Sequence, residues 1–280
     1  MNIEIAIKNA CKELKKNKID SALLDSEILL SKVIKKDRKF IFLNLEKELD
    51  QSDHESFKDL IIKRSKGKPV SYLTGIKSFW NYEFKVNEKV LIPRPDTETI
   101  IEQVLDIYKN KNNLNFLEIG IGSGCIALSI LKEKKSFSAT GIDLSRDCIE
   151  ICRYNANNLG VCNRIKLMKS DVDNLNFRKY DLVISNPPYI KKFDLKKLNK
   201  EVKNYEPKLA LDGGLEGLSV IRKVIKKSAE LIKTNGKLIL EIGYDQKASV
   251  KKMLNENNFY INKVIKDLAK NDRCIVSTKK

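Results

Sequence analysis

The sequence predicts an α/β protein in which a doubly wound, mostly parallel, seven-stranded sheet follows a small helical domain. From residue 115 onward, short apolar segments of strand type alternate with amphipathic segments of helix type. Alternation of this kind builds parallel sheets with helices on both faces. The last two strand segments have no helix between them, so we expect them to pair as an antiparallel hairpin at one edge. The first 68 residues show helical periodicity only.

The N-terminal helices are predicted from apolar spacing and from helix start and stop signals. Ile3, Ile7 and Leu14 recur at helical intervals, and the segments DSALLDSEILLSKVI and DRKFIFLN continue the pattern. A fourth helix is expected to begin with Ser52 and Glu55 at capping-box spacing. We therefore predict a helical domain over residues 1–68, which carries no catalytic grouping of its own.

A segment rich in aromatic and β-branched residues follows, and we predict a β-hairpin linker over residues 69–92. The next residues, LIPRPDTE, place Arg94 between two prolines, which hold its backbone outside helix geometry. Asp96 or Thr97 is expected to cap the helix that comes next. The sheet domain is predicted over residues 93–280.

The elements of the sheet domain are predicted in alternating order. The strand segments are NFLEIG, SATGID, RIKLMKSD, YDLVISN and GKLILEIG, followed by the hairpin pair NKVIKDLA and RCIVSTK. The helix segments are GCIALSILKEKK, RDCIEICRYNANNLG, LSVIRKVIKKSAELIK and QKASVKKMLNENN.

Composition excludes some classes of protein and leaves others open. The chain has 280 residues and a formal net charge of +17. Because lysine is spread along the whole chain, this charge fits either a solvated basic surface or an attraction to an acidic or RNA-rich partner. No apolar run approaches the ~20 residues that span a bilayer, and the N-terminus lacks a secretory pattern. We expect a soluble, cytoplasmic protein.

Cysteine and histidine usage argues against a metal centre. The six cysteines form no CxxC pair, and His54 is the single histidine. A zinc site and a serine–histidine–aspartate triad are therefore disfavoured. Cys148 and Cys152 share a helix face, and we predict that both are small buried thiols.

The turn after the first strand of the sheet, LEIGIGSG, favours a nucleotide-like ligand. Gly120, Gly122 and Gly124 allow a tight turn and a close approach of ligand to backbone. A dinucleotide fingerprint, G-x-G-x-x-G, would need its third glycine where this chain has Cys125. The turn therefore fits an adenosine that carries a bulky substituent. Taken alone, the turn could also be merely structural.

Two carboxylates end the next two strands on the same edge of the sheet. Asp143 lies about 20 residues after the turn, where an acid can accept both ribose hydroxyls. Asp171 is placed to face an adenine amino group, and Val172 to pack on the ring. The alternatives are a helix N-cap for Asp143 and a simple loop acid for Asp171.

The motif SNPPYI ends the fourth strand on that edge. Asn186 offers a side-chain acceptor, and the carbonyl of Pro187 offers another beside it. Two adjacent acceptors suit a planar –NH₂ group, on which the ring of Tyr189 could stack. The group recognised is then a carboxamide or a nucleobase amine, unless the motif is only a rigid turn.

Together, LEIGIGSG, GID, KSD and SNPPYI resemble the class I S-adenosylmethionine-dependent methyltransferases that modify amide or amino nitrogens. A finer resemblance, over nearly the whole chain, is to the glutamine methyltransferases of peptide chain release factors, the HemK/PrmC family. It is carried by PVSYLTG, FW, VLIPRPDTE, SNPPYI, YEPKLALDGG, EGL and the pair Asp267 and Arg273. It implies methylation of the side-chain amide nitrogen (N5) of the glutamine in a Gly-Gly-Gln motif.

The resemblance also implies roles for individual residues. Asn186, Pro187, Pro188 and Tyr189 would be catalytic and would bind the substrate, together with Arg94. The residues that would bind S-adenosylmethionine are Gly120, Ile121, Gly122, Ser123, Gly124, Asp143, Asp171, Val172 and Asn186. Two positions depart from the family's pattern. Some relatives have an aromatic residue where this chain has Val172, and many have an aspartate where it has Glu118.

Other interpretations remain at this stage. DNA adenine methyltransferases also use NPPY, but no segment here is long enough for a target-recognition domain. RNA guanine methyltransferases usually carry a phenylalanine variant of the turn, and a ribosomal-protein glutamine methyltransferase shares the N-terminal module. A catalytically silent donor-binding adaptor is the alternative from another class. The expected partner is a release factor, with no membrane, no direct DNA contact, at most indirect RNA contact, and a monomeric state.

Overall fold

The computed structural model describes residues 1–175 and 179–280, and the chain divides into two compact units. The first comprises Met1–Ile76 with Asn199–Tyr205, and the second comprises Lys77–Leu198 with Glu206–Lys280. The helices are α1 (Ile3–Lys16), α2 (Ala22–Ile34), α3 (Arg38–Leu43), α4 (Gln51–Ser65), α5 (Val70–Thr74), α6 (Glu98–Ile107), α7 (Cys125–Glu133), α8 (Arg146–Asn158), α9 (Lys200–Tyr205), α10 (Ser219–Leu231) and α11 (Lys247–Glu256). The strands are β1 (Ile76–Phe79), β2 (Tyr82–Lys85), β3 (Asn115–Ile119), β4 (Ser138–Asp143), β5 (Ile165–Lys169), β6 (Tyr180–Ser185), β7 (Ile232–Glu241), β8 (Phe259–Lys266) and β9 (Asp272–Lys279). Among the described residues, no helix combines the length and the apolarity that crossing a membrane requires.

The helices of the N-terminal unit form as the apolar spacing predicts. Ile3, Leu14 and Leu30 are buried in a core that α1, α2 and α4 share. The predicted capping box of α4 is wrong, because Asp50 occupies the N-cap position and Ser52 lies inside the first turn. Burial of the apolar face, rather than a side-chain cap, therefore determines where this helix starts.

The hairpin is confirmed, but it is shorter than the segment predicted for it. β1 and β2 pair over residues 76–85. The preceding residues were expected to be extended and instead form α5, which Pro69 begins and Gly75 ends with a φ of +80°. Leu73 is buried in the N-terminal core, so packing overrides the strand propensity of this segment. The two units divide between Ile76 and Lys77, and the domain boundaries at 68 and 92 stay predictions.

The second unit contains the predicted seven-stranded sheet. The strand order is β5-β4-β3-β6-β7-β9-β8, and β9 runs antiparallel to both β7 and β8. The other neighbouring pairs are parallel. The C-terminal hairpin therefore forms at one edge as predicted, with β9 inserted between β7 and β8.

Side chains alternate between the two faces of the sheet and bury both. Phe116 and Leu182 point into the core that α6, α7 and α8 cover, whereas Leu117 and Val183 point into the core beneath α10 and α11. Fully burying one such side chain contributes about 1.5–3 kcal/mol. Cys152 belongs to the first of these cores and Cys148 is also buried, so both thiols are buried as predicted.

The strand register brings four strand ends to one level. Ile119 pairs with Ile142 on one side and with Ser185 on the other, and Asp143 pairs with Lys169. Parallel strands end at the same edge, so the residues that follow β3, β4, β5 and β6 lie side by side. In open α/β sheets this edge is where ligands bind.

Candidate active site

The carboxyl edge of the sheet borders a cavity of about 550 Å³. This volume lies in the range of small-molecule sites, roughly 300–1,000 Å³. The residues predicted for the site that line the cavity are Gly120, Gly122, Asp143, Asp171, Val172, Asn186, Pro187 and Pro188. Other lining residues come from the ends of β3 and β4, from the segment 207–212 and from α10. The strand-end positions that the sequence indicated are thus brought together around one space.

The glycines of the turn after β3 have two different uses. Gly120 and Gly122 have φ values of +76° and +53°, and a Cβ atom on either would meet only open space. Gly124 also has a positive φ, but its Cβ would lie 2.5 Å from the sulfur of Cys152. The first two glycines therefore expose backbone to the cavity, and the third allows α7 to pack against α8. The predicted residues Ile121 and Ser123 are buried and do not line the cavity.

Asp143 is held at the end of β4 by two backbone amides. Its Oδ2 accepts from the amide of Gly122 at 3.0 Å, and its Oδ1 accepts from the amide of Ser145 at 2.9 Å. Burial raises the pKa of this carboxyl, while the backbone hydrogen bonds act in the opposite direction. The N-cap of α8 is Ser145, so the capping interpretation of Asp143 is wrong. Each carboxylate oxygen keeps a lone pair that can accept from a ligand hydroxyl.

Asp171 and Val172 form the neighbouring wall of the cavity. Asp171 caps the short 3₁₀ turn Val172–Asn174 by accepting from the amide of Asp173 at 3.1 Å. Lys223 of α10 lies 3.9 Å from the Asp171 carboxylate and 3.1 Å from that of Asp173. Val172 is buried and offers an apolar surface to the cavity. Asp171 therefore combines a structural cap with a place on the cavity wall.

The Asn186 side chain is fixed by one hydrogen bond. Its Nδ2 donates to the hydroxyl of Thr97 at 3.2 Å. Within residues 1–175 and 179–280, neither Asn186 Oδ1 nor the carbonyl of Pro187 accepts a hydrogen bond from the chain. Both residues line the cavity, so two acceptors remain available at its wall.

The turn that carries Asn186 is supported from behind by Gln246. Its Nε2 donates to the carbonyls of Tyr189 and Gly217, both at 3.0 Å. Gly217 has a φ of +74°, and a Cβ there would lie 2.3 Å from the carbonyl oxygen of Tyr189. The EGL segment therefore approaches the back of the turn so closely that only glycine fits.

Tyr189 lies outside the cavity lining, and its hydroxyl is anchored in the protein. It donates to Glu241 Oε1 at 3.2 Å and accepts from Arg273 at 3.4 Å. Burial raises the pKa of this phenol, and the nearby charge of Glu241 adds to the effect. Arg273 in turn pairs with Asp267 at 3.0 Å. The stacking role predicted for the Tyr189 ring stays a prediction.

Glu241 is a functional candidate that the sequence reasoning missed. It ends β7 on the same edge and is buried, and its Oε2 accepts from the Thr97 hydroxyl at 2.7 Å. Burial raises the pKa of Glu241 to about 7, against the hydrogen bonds from Thr97 and Tyr189 and the charge of Arg273. The segment GKLILEIG contained the signal, because an acid closes a buried strand there just as Asp143 does in β4.

Two further charged residues have structural partners. Arg94 has the extended backbone that its flanking prolines predict, and its guanidinium pairs with the buried carboxylate of Glu206. The substrate-binding role of Arg94 stays a prediction. Glu118 accepts from the amide of Ala127 at 2.8 Å, and burial raises its pKa well above the usual range. This carboxyl supports the first turn of α7 and does not line the cavity.

Comparison with known proteins identifies the family of this chain. Residues 6–75 match the PrmC N-terminal domain, and residues 97–205 match the methyltransferase small domain. A release factor glutamine methyltransferase of Fusobacterium nucleatum is 38% identical over 95% of this chain and 76% of its own length. One from Clostridium acetobutylicum is 36% identical over 100% of this chain and 99% of its own length. This chain belongs to the release factor glutamine methyltransferase family.

Family membership makes the chain a methyltransferase with S-adenosylmethionine as its methyl donor. The residues present fit that donor, because the cavity joins an anchored carboxylate, an open-faced glycine turn and an apolar wall. Other relatives are longer: a bifunctional methyltransferase of Rickettsia conorii is 35% identical over 98% of this chain, which spans 57% of that protein.

The fold also has relatives among solved structures. A methyltransferase from Pyrococcus furiosus superposes with a TM-score of 0.55 at 18% identity, and covers 79% of this chain and 97% of its own. This likeness concerns the fold alone, which is the predicted class I methyltransferase sheet.

Proposed function

We propose that this enzyme methylates the side-chain amide nitrogen (N5) of the glutamine in the Gly-Gly-Gln motif of peptide chain release factors. The methyl group comes from S-adenosylmethionine. Support comes from the family to which the chain belongs, whose members at 36–38% identity are named release factor glutamine methyltransferases. The proposed substrate implies that the enzyme works in the cytoplasm. A monomeric state stays a prediction.

The observation that carries the proposal is the pair of acceptors at the end of β6. Asn186 Oδ1 and the carbonyl of Pro187 line the cavity and accept no hydrogen bond from the described chain. A carboxamide –NH₂ has two hydrogens to donate, so it can satisfy both acceptors at once. A hydroxyl or a thiol could satisfy only one of them.

This arrangement meets the chemical difficulty of amide methylation. An amide nitrogen is a poor nucleophile because its lone pair is delocalised into the carbonyl. Acceptors on both N–H bonds raise the electron density on nitrogen and stabilise the positive charge that grows there during transfer. They also fix the nitrogen in line for attack, and orientation of this kind can supply ~7–11 kcal/mol. Transfer would form a nitrogen–carbon bond and break the sulfur–methyl bond of the donor, whose electron pair would stay on sulfur, and the nitrogen would lose a proton to water.

We assign the donor site to the neighbouring strand ends. Asp143 would accept from the ribose hydroxyls, and the turn Gly120–Gly124 would face the methionine part. Asp171 and Val172 would hold the adenine. Bound there, S-adenosylmethionine supplies an electrophilic methyl group. The protein's own contribution is to bind the donor next to the Asn186 acceptor and to limit the access of water.

The N-terminal unit is proposed to dock the protein substrate. It contains an apolar groove of about 710 Å³, lined by residues of α1, α2 and α3 and by Leu45. Leu23 and Phe42 in this groove are more than half exposed, and Lys8, Lys12 and Lys15 also line it. Glu4 and Glu27 line the groove as well, but Glu27 pairs with Arg38, so the lysines are in excess. An apolar floor with a net basic rim suits an amphipathic acidic segment of a release factor.

The test is methyl transfer from labelled S-adenosylmethionine to purified release factor with an intact motif and to a Gln→Ala version. Mass spectrometry should find one added methyl on the glutamine of the intact protein and none on the variant. Label on both proteins would disprove the assigned target residue. No label on either, with the donor still bound, would favour a ribosomal protein as substrate or a silent adaptor.

A further inference from the structure

A chain of hydrogen bonds connects a buried carboxylate to the Asn186 amide. Asn186 Nδ2 donates to the Thr97 hydroxyl at 3.2 Å, and that hydroxyl donates to Glu241 Oε2 at 2.7 Å. Thr97 occupies the N-cap position of α6, but its hydroxyl makes no capping bond there. Helix N-cap hydroxyls usually satisfy a backbone amide of the first turn. The Thr97 hydroxyl donates to Glu241 instead.

The direction of these bonds decides which end of the Asn186 amide faces Thr97. A threonine hydroxyl has one hydrogen, and an ionised carboxylate can only accept. While Glu241 is ionised, the Thr97 hydrogen points at Glu241, so toward Asn186 the hydroxyl can only accept. Asn186 must then present Nδ2 to Thr97, which leaves Oδ1 free to receive a substrate N–H.

Protonation of Glu241 would reverse this order. The Oε1 side already faces the Tyr189 hydroxyl, which itself receives a hydrogen bond from Arg273. A proton on Oε1 would leave the hydrogen of that half-buried phenol without its acceptor, so the proton belongs on Oε2. From there it would donate to Thr97, and the Thr97 hydrogen would turn to Asn186 and require Oδ1. The Asn186 amide would then present donors to a substrate amide that also presents donors.

We propose that Glu241 is a positioning residue that acts through Thr97, and that its ionised form sets the Asn186 amide in the orientation that accepts the substrate –NH₂. The inference rests on the proposed function for its substrate and on the geometry for its mechanism. Glu241 and Thr97 do not touch the reacting atoms. They determine which end of the Asn186 amide faces the substrate.

Among the charged and titratable groups around it, Glu241 is the one expected to change its charge near neutral pH. Arg273 and Cys274 face it from β9, Tyr189 from the turn after β6, Asp96 from the turn before α6, and Cys125 from α7. The pKa of Arg273 is raised, and burial raises those of the two thiols and of Tyr189, so these groups keep their charge state near neutral pH. Asp96 adds negative charge that opposes ionisation of Glu241.

The first measurement is the pH profile of single-turnover methyl transfer to release factor between pH 5.5 and 8.5. In the wild type the rate should rise with pH through an apparent pKa near that of Glu241. Glu241→Gln should lose this rise, because it has no proton to release. Thr97→Val should be slow at every pH, by about 10²-fold, the cost of a misplaced catalytic group. Thr97→Ser keeps the hydroxyl and should restore both rate and profile.

The dissociation constant of S-adenosylmethionine, measured on the same variants, separates positioning from general damage. It should stay within about twofold, because neither Thr97 nor Glu241 lines the cavity. A pH rise that persists in Glu241→Gln would overturn the proposal, and so would a Thr97→Val variant as fast as the wild type.

A second measurement needs no substrate and so separates this inference from the proposed function. Protein labelled with ¹⁵N in asparagine gives side-chain amide signals, and that of Asn186 is identified by its loss in Asn186→Ser. The signal should shift with pH near 7 in the wild type and stay constant in Glu241→Gln and Thr97→Val. If the wild type methylates no release factor and this titration is present, the proposed substrate fails and the positioning role stands. A wild-type signal that does not titrate would refute the positioning role.

Discussion

The carboxylate of Asp143 accepts a hydrogen bond from the backbone amide of Gly122 over 3.0 Å. This contact ties the end of β4 to the glycine turn after β3. It fixes the carboxylate at the cavity wall while Gly122, which has no Cβ, leaves the space in front of it open. One residue thus shapes the turn and offers acceptors to a ligand.

Asp143→Asn should weaken S-adenosylmethionine binding by about 10- to 100-fold. The change removes hydrogen bonds to a charged acceptor, worth about 1.5–3 kcal/mol, and brings an –NH₂ group against a backbone amide. Isothermal titration calorimetry at pH 7.5 measures the effect. Asp106→Asn, an exposed carboxylate on α6, is the matched control and should bind normally. Equal affinities for the two variants would remove Asp143 from the donor site.

Asn186→Ala should lower the rate of methyl transfer by about 10²–10³-fold, the usual effect of deleting one preorganised hydrogen-bonding group. The dissociation constant of the donor should change much less, because the lost acceptor serves the amide nitrogen. Rapid-quench assays with labelled donor report the rate. Asn157→Ala, exposed on α8, is the control. An Asn186→Ala enzyme with unchanged activity would end the proposed mechanism.

Gly217→Ala should both destabilise the sheet unit and slow turnover. The left-handed backbone alone costs an alanine roughly 1–2 kcal/mol. The new Cβ would also collide with the carbonyl of Tyr189 and push on the turn that carries Asn186. Gly160→Ala, also at positive φ but facing open space, should show the first cost without the slower turnover. Fluorescence of Trp80, the single tryptophan, follows unfolding of this unit.

The stability of the sheet unit should depend on pH through Glu241. Burial raises the pKa of Glu241 in the folded state from the ordinary value of 4.5 to about 7, so the folded state binds more protons than the unfolded state between these pH values. This contribution is fully present below about pH 4.5 and is lost as the pH rises through 7. From pH 5 to pH 8 the wild type should therefore lose roughly 2 kcal/mol relative to Glu241→Gln. Urea unfolding gives the free energy of unfolding of both proteins across that range. If the pKa of Glu241 were the same in the folded and unfolded states, plots of this free energy against pH would be parallel for the two proteins.

Local patterns in the sequence were sufficient to predict the sheet and the strand-end residues. Asp143 and Asn186 each follow an apolar strand segment, and parallel strands place such positions at one edge whatever lies between them. The sequence left open whether Asp143 caps a helix. The structure decides this point, because Ser145 lies two residues closer to α8 and takes the cap.

Contacts between distant segments were not predictable in this way. Thr97 and Glu241 are 144 residues apart, and the hydroxyl of a residue that looks like a helix cap has no local sign that it bonds elsewhere. The segment Val70–Thr74 shows that secondary structure can also depend on contacts with distant residues. Its residues favour strands, but Leu73 is buried in the N-terminal core as part of a helix.

Phe42→Ser should raise the KM for release factor by about tenfold or more and leave the donor dissociation constant unchanged. Phe42 is 55% exposed in the apolar groove of the N-terminal unit, and Arg38 lies over its ring at 5.7 Å. Aromatic side chains at interface centres commonly contribute 2 kcal/mol or more, roughly 30-fold in affinity. Leu268→Ser is the matched control, since this side chain is 100% exposed and lies far along the chain in the β8–β9 turn. If both variants methylated release factor with the wild-type KM, the groove would not be the docking surface, and the lysines of α1 would be the next residues to test.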